Sequence, residues 1–318
     1  MPAVLVLPLL LQLALPLALL AWLALAPNRS VAEWLTKAVA VAGFLVAIQR
    51  VGLWLVLPWY TPQILLVALT VIAVWQLRTV RRLPWRAERP RWTALVGRVS
   101  LAVLALVGLA IAFAARYPPS EVIVDLEFPL RDGTYYVAAG GSSHFMNPHL
   151  MTLTDSRFES VRGQSCGVDI VKLGRFGLRA SGLLPADPAR YAIFGEPVFA
   201  PCRGVVVHAE DGMPDLPPPQ TDRTRLPGNH VLLDCGGIHV LLAHLRQGSL
   251  RVGQGMRVTT DTVVGLVGNS GNTTEPHLHV HAQRPAAAGR PPLSGDPLPI
   301  RLGGRYLVRN DRITPMMP

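Results

Sequence analysis

Four long apolar stretches occupy the N-terminal third of this 318-residue chain, and they restrict its architecture more than any other feature. Their approximate limits are residues 3–26, 37–58, 61–77 and 95–115. Each is close to the length of about 20 residues that an α-helix needs to cross the hydrocarbon core of a membrane. The pattern predicts a membrane region over residues 1–116 with four transmembrane helices. An alternative with three spans pairs the short third stretch with the second as a re-entrant hairpin.

The basic charge of the chain is concentrated in this apolar third. Residues 1–116 contain eleven Lys and Arg against two Asp and Glu, whereas residues 117–318 contain nineteen against eighteen. A nearly neutral C-terminal part argues against a nucleic-acid partner. The loop 78–92 has six arginines, which predicts a cytoplasmic loop, and the connection 27–37 has the same, weaker bias. We therefore expect a multi-pass protein of the cell membrane, in contact with lipid, whose C-terminal domain is periplasmic or extracellular.

From Tyr117 onward, short runs of Val, Ile and Leu alternate with Gly and Pro. This pattern predicts a mainly antiparallel β domain. We expect a connecting segment and the start of this domain in residues 117–160, its core in 161–290 and a C-terminal tail in 291–318.

The chain has three cysteines, so at least one stays unpaired within the molecule. Cys202 and Cys235 both fall in or beside predicted strands. They are the candidate disulfide pair in an oxidising outer compartment, which leaves Cys166 as the free thiol.

The segment "HLHVH" places His277, His279 and His281 at every second position. In a β-strand all three rings project from one face, while Leu278 and Val280 point to the other. Imidazole groups bind divalent metals and transfer protons near neutral pH. The spacing therefore indicates a strand face that offers a metal ligand beside an acid/base group.

Six motifs in order extend this observation. They are "GEPVFA" with "GVV" close behind, "GN", "AHL", "GMRV", "GNSGNT" and "PHLH". Together they resemble the lysostaphin/LytM-type zinc metallopeptidases, which cut peptide bonds in peptidoglycan, and the resemblance spans roughly residues 160–285. It implies a β peptidase domain of the duplicated-hybrid-motif type, here joined to N-terminal transmembrane α-helices. The implied activity is that of a zinc metalloendopeptidase acting on peptidoglycan peptide cross-links.

The resemblance also implies roles for individual residues. His279 and Asp169, the latter in "CGVDIV", match zinc ligands, and His244 and His277 match the two catalytic imidazoles. Zn²⁺ is thus the implied cofactor and a peptidoglycan peptide the implied substrate. Bound zinc activates water and polarises a carbonyl group, and nearby imidazoles can pass protons.

One position departs from the usual motif of the family. The first ligand histidine normally precedes the aspartate by four residues, and here that position is Ser165, a poor zinc ligand. Cys166 is expected to be a packed thiol, because strand alternation places it on the face opposite Ser165 and Asp169.

A replacement ligand lies upstream. The layout resembles a branch of the family in which a histidine after an asparagine precedes "Q-x-x-x-x-D", and Asn147, His149, Gln164 and Asp169 match it. This resemblance predicts that His149 supplies the missing nitrogen ligand, with His144 as the second choice.

Two functions follow from these assignments. The first is the membrane-anchored zinc metalloendopeptidase described above. The second is a catalytically inactive LytM-like module that regulates cell-wall hydrolases or assembly, an alternative that Ser165 keeps open. Proteins of the cell envelope are further candidate partners for either. Of the remaining histidines, His281 is expected at the groove rim, and His208, His230 and His239 at exposed strand positions.

Overall fold

A computed structural model describes residues 9–87, 92–119 and 122–315. The chain forms two compact units, residues 1–113 and 114–318. The first unit is helical and the second is built from β-strands, so the predicted fold class is confirmed. The domain limits at residues 116, 160 and 290 stay predictions.

The helical unit contains four apolar helical segments among its described residues. They are α1 (Leu15–Leu25, preceded by the π-helical turn Leu10–Ala14), α2 (Val31–Val51), α3 (Thr61–Val80) and α4 (Trp92–Ala114). By length and composition α2, α3 and α4 are able to cross a membrane, whereas Leu10–Leu25 is a shorter apolar helix. The start of the first predicted stretch, residues 3–8, lies outside the described residues. The third stretch is a helix of 20 residues, long enough by itself to cross a membrane.

The limits of α2 differ from those predicted, and helix capping explains the difference. The Ser30 side chain accepts a hydrogen bond from the Glu33 backbone N–H at 3.2 Å, which starts the helix at Val31. The predicted connection 27–37 was therefore too long, because its second half is helical. The helix ends at Val51, before Gly52, and not near residue 58.

The β unit contains fourteen strands among its described residues. They are β1 (Val124–Leu126), β2 (Thr134–Ala139), β3 (Val168–Leu173), β4 (Pro197–Phe199), β5 (Gly204–Glu210), β6 (Asn229–Asp234), β7 (His239–Leu245), β8 (Arg257–Val258), β9 (Val263–Leu266), β10 (Leu278–Gln283), β11 (Pro297–Leu298), β12 (Ile300–Leu302), β13 (Arg305–Tyr306) and β14 (Arg312–Ile313). The main sheet has the order β14-β2-β3-β10-β7-β6-β5-β8, with β11 also paired to β10. Two small sheets, β1-β12-β13 and β4-β9, complete the unit, and only the β1–β12 pairing among these is parallel.

The two faces of the main sheet have different roles. One face packs into the hydrophobic core, to which β10 contributes Leu278, Val280 and Ala282. The other face carries His279 and His281 beside a smaller apolar cluster of Leu232, Leu241, Ala243 and Leu293. The alternation predicted from "HLHVH" is therefore present, and we call the histidine-bearing side the groove face.

The C-terminal segment and a disulfide both add to the β unit. Residues 291–318, predicted as a tail, contribute four strands and buried core residues such as Ile300 and Leu307. Cys202 and Cys235 form the disulfide proposed from the sequence, with their Cα atoms 5.9 Å apart, and Cys166 is free. The bridge joins the connection before β5 to the turn after β6.

Candidate metal centre

The centre of the site is set by the pairing of β3 with β10. In this antiparallel register Asp169 lies directly opposite His279, so both side chains leave the sheet on the same face. Asp169 Oδ1 lies 2.8 Å from Nδ1 of His279. Two residues separated by 110 positions in the chain are thus in contact because their strands are neighbours.

A third group comes from outside the sheet. His149 lies in a short 3₁₀ helix, Pro148–Leu153, and its Nε2 is 2.9 Å from Asp169 Oδ2. Asn147 begins this helix by accepting a hydrogen bond from the His149 backbone N–H. The Asn147 amide also donates to the carbonyl groups of Gly141 and Gly167, each at 3.1 Å. Asn147 therefore fixes the turn that carries His149 to the residue preceding β3.

Ser165 does not face the site. It lies in the 3₁₀ helix Ser156–Cys166, before β3 begins, and its buried hydroxyl is hydrogen-bonded to Thr152 Oγ1 and donates to the Arg162 carbonyl. Strand alternation was therefore the wrong argument for Cys166, although the thiol is partly buried as expected. Burial raises the pKa of that thiol to about 11.

His244 reaches the site through an unusual backbone conformation. It lies near the end of β7, where alternation alone would turn its ring toward the core. Its φ of 63° is in the left-handed region, which non-glycine residues seldom adopt. The conformation is held by hydrogen bonds from the His244 N–H to Pro227 O and from the Gly268 N–H to His244 O, both at 3.0 Å. The ring then packs 4.8 Å from that of His277, measured between centroids.

His244 and His277 are held in the same manner. Nδ1 of His244 lies 2.9 Å from the Ser270 carbonyl oxygen, and Nδ1 of His277 lies 2.9 Å from the Glu275 carbonyl oxygen. A carbonyl oxygen only accepts, so each Nδ1 carries a proton and donates it. His277 Nε2 lies 3.5 Å from Asp169 Oδ1. The two rings are therefore held by backbone carbonyl groups, and their Nε2 atoms are directed away from those carbonyls.

Comparison with known proteins identifies the family of one segment of the chain. Residues 190–291 match the sequence model described as Peptidase family M23. These residues form a peptidase family M23 domain. The resemblance inferred from the six motifs is thus confirmed for this segment. The M23 match includes His244, His277 and His279, whereas His149 and Asp169 lie upstream of it.

Several solved structures are similar to the β unit. A zinc-containing peptidase from Vibrio cholerae has 17% identity and a TM-score of 0.28, over 49% of this chain and 35% of that chain. The catalytic domain of lysostaphin from Staphylococcus simulans has 22% identity and a TM-score of 0.25, over 37% of this chain and 65% of that chain. The SpoIIQ–SpoIIIAH pore forming complex has 15% identity and a TM-score of 0.31, over 55% of this chain and 94% of that chain. This chain therefore spans less than two thirds of the first two. No curated protein matches it.

The groove face of the M23 domain continues beyond His279 with two more buried polar residues. His281 Nδ1 lies 2.9 Å from His279 Nε2, and the Gln283 amide donates to the Pro292 carbonyl at 2.7 Å. His281 is 1% exposed, so the prediction that it lies at the groove rim is wrong. Its Nε2 and the Gln283 Oε1 are both buried, and neither has a hydrogen-bond partner in the described part of the chain.

The loop before β10 is held by a buried ion pair. Arg179 is bidentate with Glu275, at 2.9 Å and 2.8 Å from Nε to the two carboxylate oxygens, and a further contact from Nη2 is 2.7 Å. Since the Glu275 carbonyl oxygen accepts from His277, this ion pair also positions a ring of the site. Sequence reasoning missed Arg179, because nothing in its neighbourhood in the chain marks it as a partner of Glu275.

Burial and mutual charge set the protonation of the site. Burial raises the pKa of Asp169, but the charges of His149 and His277 and the histidine hydrogen bonds outweigh it and hold the pKa well below its usual range. Burial lowers the pKa of His279 to about 4 and that of His244 well below its ordinary value. Burial also opposes protonation of His149, yet the charge and hydrogen bond of Asp169 raise its pKa. The site therefore combines an ionised carboxylate at Asp169 with neutral rings at His244 and His279.

This donor set fits a zinc ion. Ligand atoms of His149, Asp169 and His279 all lie within 4.8 Å of one another. Two imidazole nitrogens with one carboxylate are a typical protein ligand set for zinc, and imidazole disfavours magnesium or calcium. Histidines that bind a metal usually form a hydrogen bond through their second ring nitrogen, and His281 lies in that position beside His279. His144, the second choice, is exposed and does not belong to this group.

Proposed function

We propose that this chain is a membrane-anchored zinc metalloendopeptidase that cuts peptide cross-links of peptidoglycan outside the cytoplasm. The observation that carries the proposal is the convergence of His149, Asp169 and His279 beside the imidazoles of His244 and His277, whose Nδ1 atoms both donate to backbone carbonyl groups. A domain that only bound a ligand would have no need of both a metal-ligating trio and two acid/base groups. The M23 family match supports the same reaction class and a peptidoglycan-related function.

The residues divide the work of peptide hydrolysis between them. His149, Asp169 and His279 would hold zinc, which when bound supplies a Lewis acid and lowers the pKa of water. His244 has a lowered pKa, so its Nε2 is unprotonated near neutral pH and able to accept a proton from the attacking water. His277 presents its Nε2 on the same side. When protonated it would stabilise the developing oxyanion or deliver a proton to the leaving amine.

The location of the β unit is also part of the proposal. Three helices of sufficient length and the arginine-rich loop 78–92 support a membrane region with that loop in the cytoplasm. With that loop in the cytoplasm, one crossing by α4 would place the β unit on the outer side, whatever the number of spans before the loop. The Cys202–Cys235 disulfide favours the oxidising side for the β unit. Membrane lipid and peptidoglycan peptides are then its partners, and envelope proteins would bind its outer surface.

A second function is a binding module that regulates another cell-wall hydrolase. Ser165 favours it, because the residue at the usual ligand position is turned away from the site and is engaged with Thr152 and Arg162. In that case the groove would bind peptidoglycan peptides and leave them intact.

Digestion of peptidoglycan by the full chain in detergent micelles tests the two functions. The zinc-loaded protein is incubated with purified peptidoglycan, with and without a chelator, and the released fragments are identified by mass spectrometry. We expect new amino termini that disappear with the chelator and in the His149→Ala and His244→Ala variants. The matched control is His144→Ala, which removes an exposed histidine five residues before His149 and should retain cleavage. Binding of peptidoglycan without cleavage by the zinc-loaded protein would refute the enzyme and support the module.

A further inference from the structure

A second group of metal-ligating side chains lies on the groove face, separate from the site described above. It consists of His208 and Glu210 on β5 and His230 on β6, whose ligand atoms all lie within 4.8 Å of one another. None of the three belongs to the His149, Asp169 and His279 trio. Among the described residues these are the two groups that meet this distance.

The sheet register explains how these side chains converge. Glu210 is paired with His230, and His208 with Leu232, which belongs to the apolar cluster of the groove face. A register shift between Val206 and His208 inserts one extra residue into β5. Without this bulge, strict alternation from Val206, which lies in the core, would turn His208 toward the core as well. The bulge therefore directs both β5 side chains to the side where His230 lies.

His230 has the features of an imidazole prepared to bind a cation. It is 5% exposed, which contradicts the prediction of an exposed strand position. Its Nδ1 lies 2.7 Å from the Gly228 carbonyl oxygen, so this nitrogen carries the proton and Nε2 keeps its lone pair. A backbone carbonyl on the second ring nitrogen is a common support for ligating histidines.

The other two groups are able to adjust to a bound ion. The His208 ring lies 5.2 Å from that of His230, between centroids, and His208 Nε2 lies 3.8 Å from Glu210 Oε2. The His208 and Glu210 side chains are 42% and 47% exposed, so their rotamers are not fixed by packing. The group therefore contains one imidazole in a fixed position and two side chains that can move toward an ion. It is open to solvent, so water could also bind a metal ion there.

We propose that His208, Glu210 and His230 form a second divalent-cation site for zinc or a similar first-row transition ion. Two imidazoles and a carboxylate are the donor types that such ions prefer over calcium or magnesium. Leu241 of β7 is paired with His281 of β10 and with Leu232 of β6, two residues from His230, so the second site lies on the same face as the first, two strands away. Its remaining coordination positions face solvent on the groove face, where water or a substrate carboxylate would complete them.

Metal stoichiometry tests this site independently of the proposed function. The untagged full chain in detergent micelles is depleted of metal, and Co²⁺ is titrated while visible absorption reports coordination; bound zinc is measured separately by elemental analysis. We expect two equivalents for the wild type and one for His230→Ala. Glu210→Gln and His208→Asn should weaken the second site by more than about tenfold, and His208 is exposed enough for its variant to fold. The His144→Ala variant, which alters an exposed histidine outside both groups, should keep both equivalents.

An Asp169→Asn variant separates the two proposals, because it damages only the first site. If Asp169→Asn retains one equivalent of metal, and adding His230→Ala to it removes that equivalent, the second site is established. One equivalent in the wild type that Asp169→Asn abolishes would overturn it and leave the proposed peptidase site intact. Two equivalents that persist in His230→Ala and His208→Asn would also overturn it.

Discussion

Replacing Arg179 by methionine should destabilise the β unit strongly, although this residue contacts none of the candidate metal ligands. The side chains of Arg179 and Glu275 are 3% and 14% exposed, so the change would leave a carboxylate largely buried without its partner. Removal of one member of a buried ion pair costs about 3–5 kcal/mol. For a unit of this size each kcal/mol lowers the melting temperature by roughly 2–4 °C, so we expect a fall of roughly 6–20 °C.

Cys166 provides a reporter that observes the β unit alone. All seven tryptophans lie at or before Trp92, so their fluorescence follows the helical unit. Cys166 is the free cysteine of the described chain, and burial raises the pKa of its thiol to about 11, which makes labelling slow in the folded state. Maleimide labelling of the full chain in detergent micelles during a temperature ramp therefore measures unfolding around β3.

Two variants test whether the unpaired charge causes the loss. Adding Glu275→Gln to Arg179→Met removes that charge, so the double variant should lose less stability than the sum of the single losses, with a coupling energy of about 1–3 kcal/mol. Arg157→Met is the matched control, because it removes an arginine from an ion pair with Asp155 in which the Arg157 side chain is 77% exposed. We expect it to lower the melting temperature far less than Arg179→Met does, because exposed ion pairs contribute little to stability. Equal melting shifts for Arg179→Met and Arg157→Met would refute the reasoning.

Three further predictions concern the site and its support. His281→Phe should weaken zinc binding by about 10–100-fold, and His281→Asn, which keeps an acceptor near the position of Nδ1, should restore most of it; equal affinities in a zinc titration would contradict this role. Because burial lowers the pKa of His244, the unfolded chain binds a proton below about pH 6.5 that the folded chain excludes. The free energy of unfolding of the metal-free protein should thus decrease as the pH is lowered from about 6.5 to 5.5, by up to about 1.4 kcal/mol from this group. Scanning calorimetry should show a smaller decrease for His244→Gln. Reducing the Cys202–Cys235 disulfide, which closes a loop with a sequence separation of 33, should cost about 3–4 kcal/mol in denaturant unfolding.

The parts of the site that follow strand periodicity could be predicted from the sequence. The spacing of His277, His279 and His281 indicated a shared face, and the core residues between them show why: Leu278 and Val280 must be buried on the other side. The pairing of Asp169 with His279 could be expected only through the family resemblance. Periodicity describes one strand and contains no information about which distant strand lies beside it.

Three features of the β unit could not be read from local pattern. His244 faces the groove because of a left-handed backbone conformation, which hydrogen bonds to Pro227 and Gly268 stabilise from elsewhere in the chain. His208 faces it because of a β-bulge. Ser165 turns away because a 3₁₀ helix replaces the expected strand. In each case tertiary contacts override the alternation that a sequence suggests.

In the membrane region, composition predicted the apolar stretches better than it predicted their ends. The start of α2 depends on one hydrogen bond from the Glu33 backbone to the Ser30 side chain, and both residues lie in the connection 27–37 that the apolar stretches predict. The Trp34 indole N–H donates to the Gln76 side chain at 2.7 Å, and the Gln76 amide donates to the Leu23 carbonyl. The polar groups of Trp34 and Gln76 are therefore paired within the helical unit, which allows their helices to continue through them.

The histidine rings of the β unit differ in what fixes their proton, and this difference bears on their roles. The Nδ1 atoms of His230, His244 and His277 all lie against backbone carbonyl oxygens, so each ring presents Nε2. His279 instead directs Nδ1 to Asp169 and leaves Nε2 to the side chain of His281. A backbone carbonyl stays in place when neighbouring side chains change, whereas His281 is lost by a single substitution. Substitution of His281 should therefore change the metal affinity of the site. Side-chain substitutions near His244 and His277 should leave the proton on their Nδ1 atoms in place.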